Sequence, residues 1–218
     1  MGLQLFYAYT VAGFVVLTSI FMLRRKQGPE GQQPAIKPFS LANVPPEQLP
    51  KYIRSLLAEL PGCVVLQSEV TAFQEAVDYN WAQQNREIIP ACIVRPRDVQ
   101  QLSKALGVLK REYESRSQAG APTKGFFAVR SGGLNPGLGS STVQDGVVID
   151  LSLFNEVVPA ADGATVTVGT GARWIDVYKA LDEKGLTVMG GRSSPVGVGG
   201  LALQGKMAIP LPLFAGEF

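Results

Sequence analysis

With 218 residues, of which 46% are hydrophobic, the chain suits one domain of ordinary size or a fragment of a larger one. Its 20 basic and 18 acidic side chains nearly balance, so nothing in the charge pattern indicates a nucleic-acid partner. Histidine is absent, which excludes a histidine general base, a Ser-His-Asp triad and a histidine-ligated metal, and we expect no metal site.

An apolar segment, Leu3 to Leu23, lies at the start of the chain and is long enough to cross a bilayer as a helix. The charges of Arg24-Arg25-Lys26 follow it directly, whereas a secretory signal carries its charge before the apolar run. We therefore expect residues 1–26 to be a single-pass membrane anchor, a transmembrane helix with the soluble part in the cytosol. A cleaved signal peptide followed by secretion and a buried core helix are the alternatives.

Residues 27–60 are predicted to be a Gly/Pro/Gln-rich linker followed by one short helix. The helix is predicted to begin at Pro45-Pro46-Glu47 and to end at Pro61-Gly62. Its apolar residues share one face: Leu49, Ile53, Leu56, Leu57 and Leu60.

The middle of the chain alternates strand and helix signals. The strand candidates are short and apolar: Cys63–Leu66, Ala91–Val94, Phe126–Val129 and Val147–Leu151. Thr71–Tyr79 is predicted to be helical or turn-like, and a helix capped by Asp98 carries apolar residues at helical spacing, Val99, Leu102, Leu106 and Leu109. A polar loop is predicted from Ser115 to Lys124. The order of these elements predicts a small parallel α/β layer.

A second structural unit is predicted after this layer. Thr165–Val168 alternates polar and apolar residues, as a half-buried strand does. A helix follows that ends at Gly185, and its inner face is Trp174, Ile175, Val177, Tyr178 and Leu181. The predicted fold class is therefore α+β, a small parallel α/β layer followed by the start of a mixed sheet.

Two glycine-rich stretches carry the candidate chemistry, the first glycine loop (residues 131–140) and the second glycine loop (residues 190–200). Successive backbone N–H groups in such turns form a nest that holds an anion. Each loop has an arginine at or beside it, Arg130 and Arg192, and we expect a dinucleotide clamped from two sides. No G-x-G-x-x-G motif opens a helix here, so the usual dinucleotide fingerprint is not the source of this signal.

The order of these segments resembles the FAD-binding PCMH-type domain of the vanillyl-alcohol oxidase superfamily, most of all fungal berberine-bridge-like FAD-linked oxidoreductases. The resemblance covers residues 61–203 and implies the N-terminal part of that domain. The segments that carry it are Tyr79-Asn80-Trp81, Pro90–Pro96, Val129–Gly133, Val147–Asn155, Val168–Trp174 and Gly191–Leu201.

The resemblance implies a flavoprotein with FAD as its cofactor. It places the diphosphate against the first glycine loop, at Arg130, Ser131, Gly132, Gly133, Leu134 and Asn135, with Gly139 and Ser140 close by. It places the flavin side against the second glycine loop, at Gly191, Arg192, Ser193, Val196, Gly197, Gly199 and Gly200.

Two departures from the family pattern bear on how FAD is held. Many relatives carry a histidine after the paired glycines that bonds covalently to the flavin, and Leu134 stands there in this chain. Some relatives add a cysteine in the second glycine loop, where Ser193 is the nearest equivalent. We therefore expect non-covalent FAD.

The resemblance implies an oxidoreductase that oxidises a small-molecule substrate with oxygen as acceptor, as a tailoring enzyme of fungal secondary metabolism. No catalytic residue can be named from the sequence. Residues 204–218 are an atypical tail that resembles nothing in the family, whose members continue into further glycine-rich sequence and a substrate domain. The alternative is a truncated, membrane-tethered remnant without catalytic activity.

The two cysteines, Cys63 and Cys92, match no zinc or C-x-x-C spacing. We interpret them as two buried thiols, with a disulfide as the alternative. Asp150 and Asp162 are interpreted as strand-end and turn residues and not as a pair of catalytic acids.

Overall fold

The computed structural model describes residues 40–204. The predicted anchor at Leu3–Leu23 and the atypical tail after Gln204 lie outside the described residues. Between residues 40 and 204, no helix is both long and apolar enough to span a membrane.

A 3-10 turn at Pro46–Gln48 precedes the regular elements. In chain order these are α1 (Lys51–Glu59), β1 (Val64–Leu66), α2 (Val70–Asp78), α3 (Gln83–Arg86), β2 (Cys92–Val94), α4 (Val99–Gln118), β3 (Phe127–Arg130), β4 (Val147–Asp150), β5 (Val157–Pro159), β6 (Val166–Val168), α5 (Trp174–Asp182) and α6 (Val198–Leu203).

Four strands form one sheet in the order β1-β2-β4-β3. β4 lies parallel to both neighbours, with Val147 opposite Cys92 on one side and Phe127 on the other. β1 pairs antiparallel with β2, and Leu66 lies opposite Cys92. The predicted parallel layer is confirmed. Its sheet is mixed, because β1 adds an antiparallel strand to the parallel strands β2, β4 and β3.

Helices cover both faces of this sheet, and the strand residues alternate between them. Val147 and Ile149 face α1 and α4, where Ile53, Leu56 and Leu109 complete the main core. Ile93 and Val148 face the other way and pack against Phe73 and Val77 of α2. Because both faces are buried, β2 and β4 consist of apolar residues apart from the terminal Asp150.

A second, two-stranded sheet pairs β5 with β6 antiparallel, and Val157 lies opposite Val168. α5 packs on it through Trp174, Val177 and Leu181, as its apolar spacing predicted. The helix ends before Gly185, whose φ of +65° favours glycine. β5 was not predicted from the sequence, since it is three residues long and ends in a proline.

The first helix begins later than predicted. Pro46–Gln48 is a separate 3-10 turn, and the α-helix begins at Lys51. Leu49 is extended, with φ −60° and ψ +150°, because the ring of Pro50 disfavours the helical region for the residue before it. Leu49 is nevertheless buried, so its predicted place in the core is correct.

The predicted polar loop at Ser115–Lys124 is wrong in its first part, because α4 continues to Gln118. Arg116 holds this last turn: its guanidinium lies 4.3 Å from the ring centre of Phe126, and its Nε donates to Glu112 at 2.8 Å. Asp98 caps the start of α4 as predicted, accepting from the Gln101 amide at 2.7 Å.

The buried face of α4 matches the prediction in part, since Leu109 is buried and Leu102 packs against the core as predicted. Ala105, Val108 and Leu109 are buried there, whereas Val99 and Leu106 are 68% and 41% exposed. Ala105 is fully buried in the main core, and a pattern built on leucine and valine spacing alone missed it.

Both cysteines are buried free thiols, which confirms the interpretation from the sequence. Cys92 lies opposite Leu66, three positions along β1 from Cys63, so the two lie about 10 Å apart along the sheet, too far for a disulfide.

Native protein should leave both thiols unlabelled by a disulfide-exchange reagent at pH 8, and denaturant should expose both. Burial raises the pKa of Cys92 from 9.0 to about 12, so almost no thiolate forms in the fold at pH 8. The same shift lowers stability as pH rises from about 9 toward 12, because the unfolded thiol then loses its proton first. Rapid native labelling of Cys92 would contradict this core.

Candidate functional site

The two glycine loops meet backbone to backbone at Gly132 and Gly197. A Cβ placed on Gly132 would lie 2.5 Å from the Gly197 nitrogen and 2.7 Å from its Cα. Real Cβ atoms do not approach backbone this closely, so both positions need glycine. The first glycine loop follows β3, and the second glycine loop runs into the first turn of α6. Their contact joins the four-stranded sheet to the unit formed by the two-stranded sheet and α5.

The second glycine loop is held by the segment that enters α5. The amides of Trp174 and Ile175 donate to the carbonyls of Val196 and Ser194 at 3.0 and 2.9 Å. The Val198 amide returns a 2.9 Å bond to the Ala172 carbonyl. These bonds run like one short strand pair, so the loop enters α6 in a fixed position.

Ser131 joins the first glycine loop to this same region. Its hydroxyl donates to the Thr170 carbonyl at 2.6 Å, and the same carbonyl accepts from the Gly199 amide at 3.2 Å. The Ser131 side chain therefore has a structural partner within the protein.

Three consecutive backbone amides of the first glycine loop have no hydrogen-bond acceptor among the described residues. Within residues 40–204, no group accepts from the N–H of Gly132, Gly133 or Leu134, although both glycines are buried. Gly133 has a φ of +63°, the left-handed conformation that turns successive amides toward one side. Buried amides are nearly always paired, so this geometry fits an anionic group.

Both loops line one cleft of about 370 Å³. Most of the predicted contact residues lie in its wall: Ser131, Gly132, Gly133, Leu134, Asn135, Ser140, Val196, Gly197 and Gly200. Leu201 and Gln204 of the α6 region close it on one side, and neither was predicted. The apolar and amide lining suits a cofactor with a flat ring and a charged diphosphate.

The guanidinium of Arg130 has a different partner from the predicted one. It is 1% exposed, and its Nη2 donates to Asp150 Oδ2 at 2.9 Å, so it cannot reach a ligand in the cleft. Arg95 approaches the same carboxylate at 3.4 Å. The parallel register sets Arg130 directly opposite Asp150, which fixes the start of the first glycine loop.

The other predicted residues of the second glycine loop do not line this cleft: Gly191, Arg192, Ser193 and Gly199. Gly191 packs on the Trp174 indole, and its carbonyl accepts from the Tyr178 hydroxyl at 2.8 Å; burial raises the pKa of this tyrosine. Arg192 is exposed and lines neither this cleft nor its neighbour. Ser193 lines the neighbouring cleft.

That neighbouring cleft, of about 490 Å³, shares Leu134 with the first. Its walls include Tyr79, Trp81 and Arg173. Two guanidinium groups contact the Tyr79 ring, that of Arg130 at 5.3 Å and that of Arg173 at 4.8 Å from the ring centre. Leu134 therefore borders both clefts.

Two buried asparagines that the sequence did not indicate support the first glycine loop. Asn80 Oδ1 accepts from the Ser141 hydroxyl at 2.8 Å. Asn85 contacts residues 135–139 through its side-chain amide. Their bonds span 50 to 61 residues of sequence, and no local pattern marks such partners.

Residues 90–210 match the protein family described as FAD binding domain. The FAD-dependent monooxygenase tpcD of Cochliobolus heterostrophus is 38% identical over 128 residues, which are 59% of this chain and 23% of that protein. The FAD-dependent monooxygenase macF of Penicillium terrestre is 39% identical over 128 residues, 58% of this chain and 22% of that protein. The chain thus spans under a quarter of the length of these two relatives.

Two solved structures share the fold. Physcomitrella patens BBE-like 1 superposes with a TM-score of 0.56 at 24% identity, covering 71% of this chain and 30% of that one. Wild-type Phl p 4.0202, a glucose dehydrogenase, superposes with a TM-score of 0.57 at 20% identity, covering 69% of this chain and 30% of that one. At these identities the likeness shows the fold alone.

Proposed function

Because this chain belongs to the FAD binding domain family, we propose that it holds FAD between its two glycine loops and serves in an FAD-linked oxidoreductase. The proposed activity is flavin-dependent oxidation of a small-molecule substrate with oxygen as acceptor, in fungal secondary metabolism. The fungal FAD-dependent monooxygenases to which residues of this chain are 38% and 39% identical support it.

One observation of the site carries the proposal. The amides of Gly132, Gly133 and Leu134 are without acceptors within residues 40–204 and lie in the wall shared by both loops. Three consecutive N–H groups in one cleft wall suit the oxygens of a diphosphate, and they provide charge stabilisation without a mobile side chain. In this proposal Arg130 acts only through its backbone, since its guanidinium is paired with Asp150.

The second glycine loop is proposed to lie along the flavin side of the cofactor. Val196 and Leu201 supply apolar surface to the cleft, and Gly197 and Gly200 let a flat ring approach the backbone. When bound, FAD supplies the hydride acceptor that passes electrons on to oxygen. The residues of this chain bind and orient it.

We also propose that FAD is held without a covalent bond. The isobutyl group of Leu134 has no nucleophilic atom, and the sulfur atoms of Cys63 and Cys92 are buried in the core of the sheet. Ser193 is exposed at the neighbouring cleft.

The test is to purify the full chain with excess FAD and to record its visible absorbance before and after acid precipitation. We expect flavin in proportion to protein, released completely into the acid supernatant. Flavin retained in the pellet would contradict non-covalent binding. Purified protein without flavin would overturn the binding proposal and favour the inactive, membrane-tethered remnant.

A further inference from the structure

We infer that Asn85 is a positioning residue for the FAD-binding loop: its buried side-chain amide sets the backbone of residues 135–139. The effect on FAD rests on the proposed function, whereas the effect on the loop does not. Asn85 is fully buried, and its side chain faces the outer half of the first glycine loop.

One amide group makes three hydrogen bonds to the loop. Asn85 Nδ2 donates to the carbonyls of Asn135 and Gly137 at 3.0 and 3.1 Å. Asn85 Oδ1 accepts from the Gly139 amide at 2.9 Å. Donors and acceptor are all used, so the side chain specifies the direction of three peptide groups at once.

Among residues 40–204, the outer half of the loop is fixed from outside mainly by Asn85, with one further bond from the side chain of Gln84. Residues 135–140 are exposed and form no regular structure. Their internal bonds are local: the Gly137 amide donates to Asn135 Oδ1 at 2.9 Å, and the Ser140 amide donates to the Gly137 carbonyl at 3.0 Å. These bonds shape the turn. Two neighbouring side chains tie it to the rest of the fold: exposed Gln84, whose Nε2 donates once to the Pro136 carbonyl at 2.8 Å, and buried Asn85, which makes three bonds.

Asn85 is itself held rigidly by the segment around α3. The backbone amide of Asn85 donates to the Ala82 carbonyl at 3.0 Å, and Arg86 Nε donates to the Asn80 carbonyl at 2.5 Å. The Trp81 amide donates to the Gly133 carbonyl at 2.9 Å. This segment therefore bonds to the first glycine loop at two places. Trp81 contacts it at Gly133, and Asn85 contacts it at residues 135–139.

The chemistry of the contact selects an amide over its isosteres. Aspartate keeps the acceptor for Gly139 but loses both donors, and it sets a carboxylate against the carbonyl oxygens of Asn135 and Gly137. Leucine has similar volume and leaves all three backbone groups without their partner. Either change frees the loop while leaving the apolar core of the sheet intact.

The test compares Asn85→Asp with a matched control, Gln67→Glu, in the full chain. Gln67 is also a buried amide that joins two backbone segments, donating to Pro90 at 2.8 Å and accepting from Leu41 at 2.7 Å, but it lies away from both glycine loops. Fluorescence titration measures FAD affinity, thermal unfolding measures stability, and amide hydrogen exchange without FAD measures loop order.

We expect Asn85→Asp to weaken FAD binding at least about tenfold more than Gln67→Glu does, at a comparable loss of stability. Amide exchange at residues 135–139 should quicken in Asn85→Asp alone. Equal FAD affinity and equal loop exchange in the two variants would overturn the inference. If the parent chain binds no FAD, the proposed function fails, and the exchange comparison still decides the role of Asn85.

Discussion

Replacing Gly132 with alanine is expected to separate the two glycine loops and to remove most of the FAD affinity. The new methyl group would meet the Gly197 backbone at 2.5 Å from its nitrogen, and backbone cannot rotate away as a side chain does. Overpacking of this kind costs about 1–3 kcal/mol. Since the same contact forms the cleft, FAD affinity should fall by about 10- to 100-fold.

Gly197→Ala should behave alike, since its Cβ would lie 2.4 Å from the Gly132 nitrogen. The double variant should lose less than the sum of the two, because one separation of the loops relieves both clashes. Gly107→Ala on α4 is the control, where a Cβ has only an ordinary 3.6 Å contact with Arg111. Thermal unfolding and FAD titration measure both effects; Gly132→Ala matching Gly107→Ala in both would rule out a tight loop contact.

The parts of the fold that the sequence predicted are those with a strong local pattern. The apolar runs around Ile93 and Val148 give strands, and the spacing of Trp174, Val177 and Leu181 gives α5. The errors fall where tertiary contacts override local signals. Arg116 extends α4 into a polar stretch by stacking on a side chain ten residues further along.

The candidate site divides in the same way. Gly132 and Gly197 were identified because glycine itself signals a close backbone approach. The side chain of Arg130 was assigned to an anion from its charge and its place before the loop, but charge alone does not name the partner. Only the parallel register of β3 and β4 sets it opposite Asp150. Asn85 gave no local signal, since its three contacts lie 50 to 54 residues away.

Replacing Asp150 with asparagine is expected to destabilise the fold by about 3–5 kcal/mol. The change keeps the shape of the side chain and removes its charge, which leaves the guanidinium of Arg130 buried without a counter-ion. Arg95 loses the same partner, because it also approaches the Asp150 carboxylate, at 3.4 Å. Denaturant unfolding at neutral pH measures the loss.

Asp162→Asn is a matched control for this change. Asp162 accepts from the amide two residues on, at 3.0 Å, as Asp150 does from Ser152. Asp162 is exposed, however, and within residues 40–204 it forms no ion pair with an arginine. The control should stay within about 0.5 kcal/mol of the parent, as surface substitutions do. A similar small effect for Asp150→Asn would mean that the Arg130 charge is solvated in the native protein.

The Arg130→Met/Asp150→Leu double variant separates the cost of an unpaired charge from the worth of the pair. A buried ion pair replaced by apolar side chains of similar volume loses little stability, whereas breaking it on one side leaves the desolvation of the other charge uncompensated. The double variant should therefore be more stable than Asp150→Asn. Because Arg130 precedes the free amides of Gly132 and Gly133, FAD titration of the same variant also tests whether the ion pair holds the loop. Recovered stability with weakened FAD binding would mean that the Arg130–Asp150 ion pair sets the geometry of the loop. If the pair served packing alone, the double variant would restore both stability and FAD affinity.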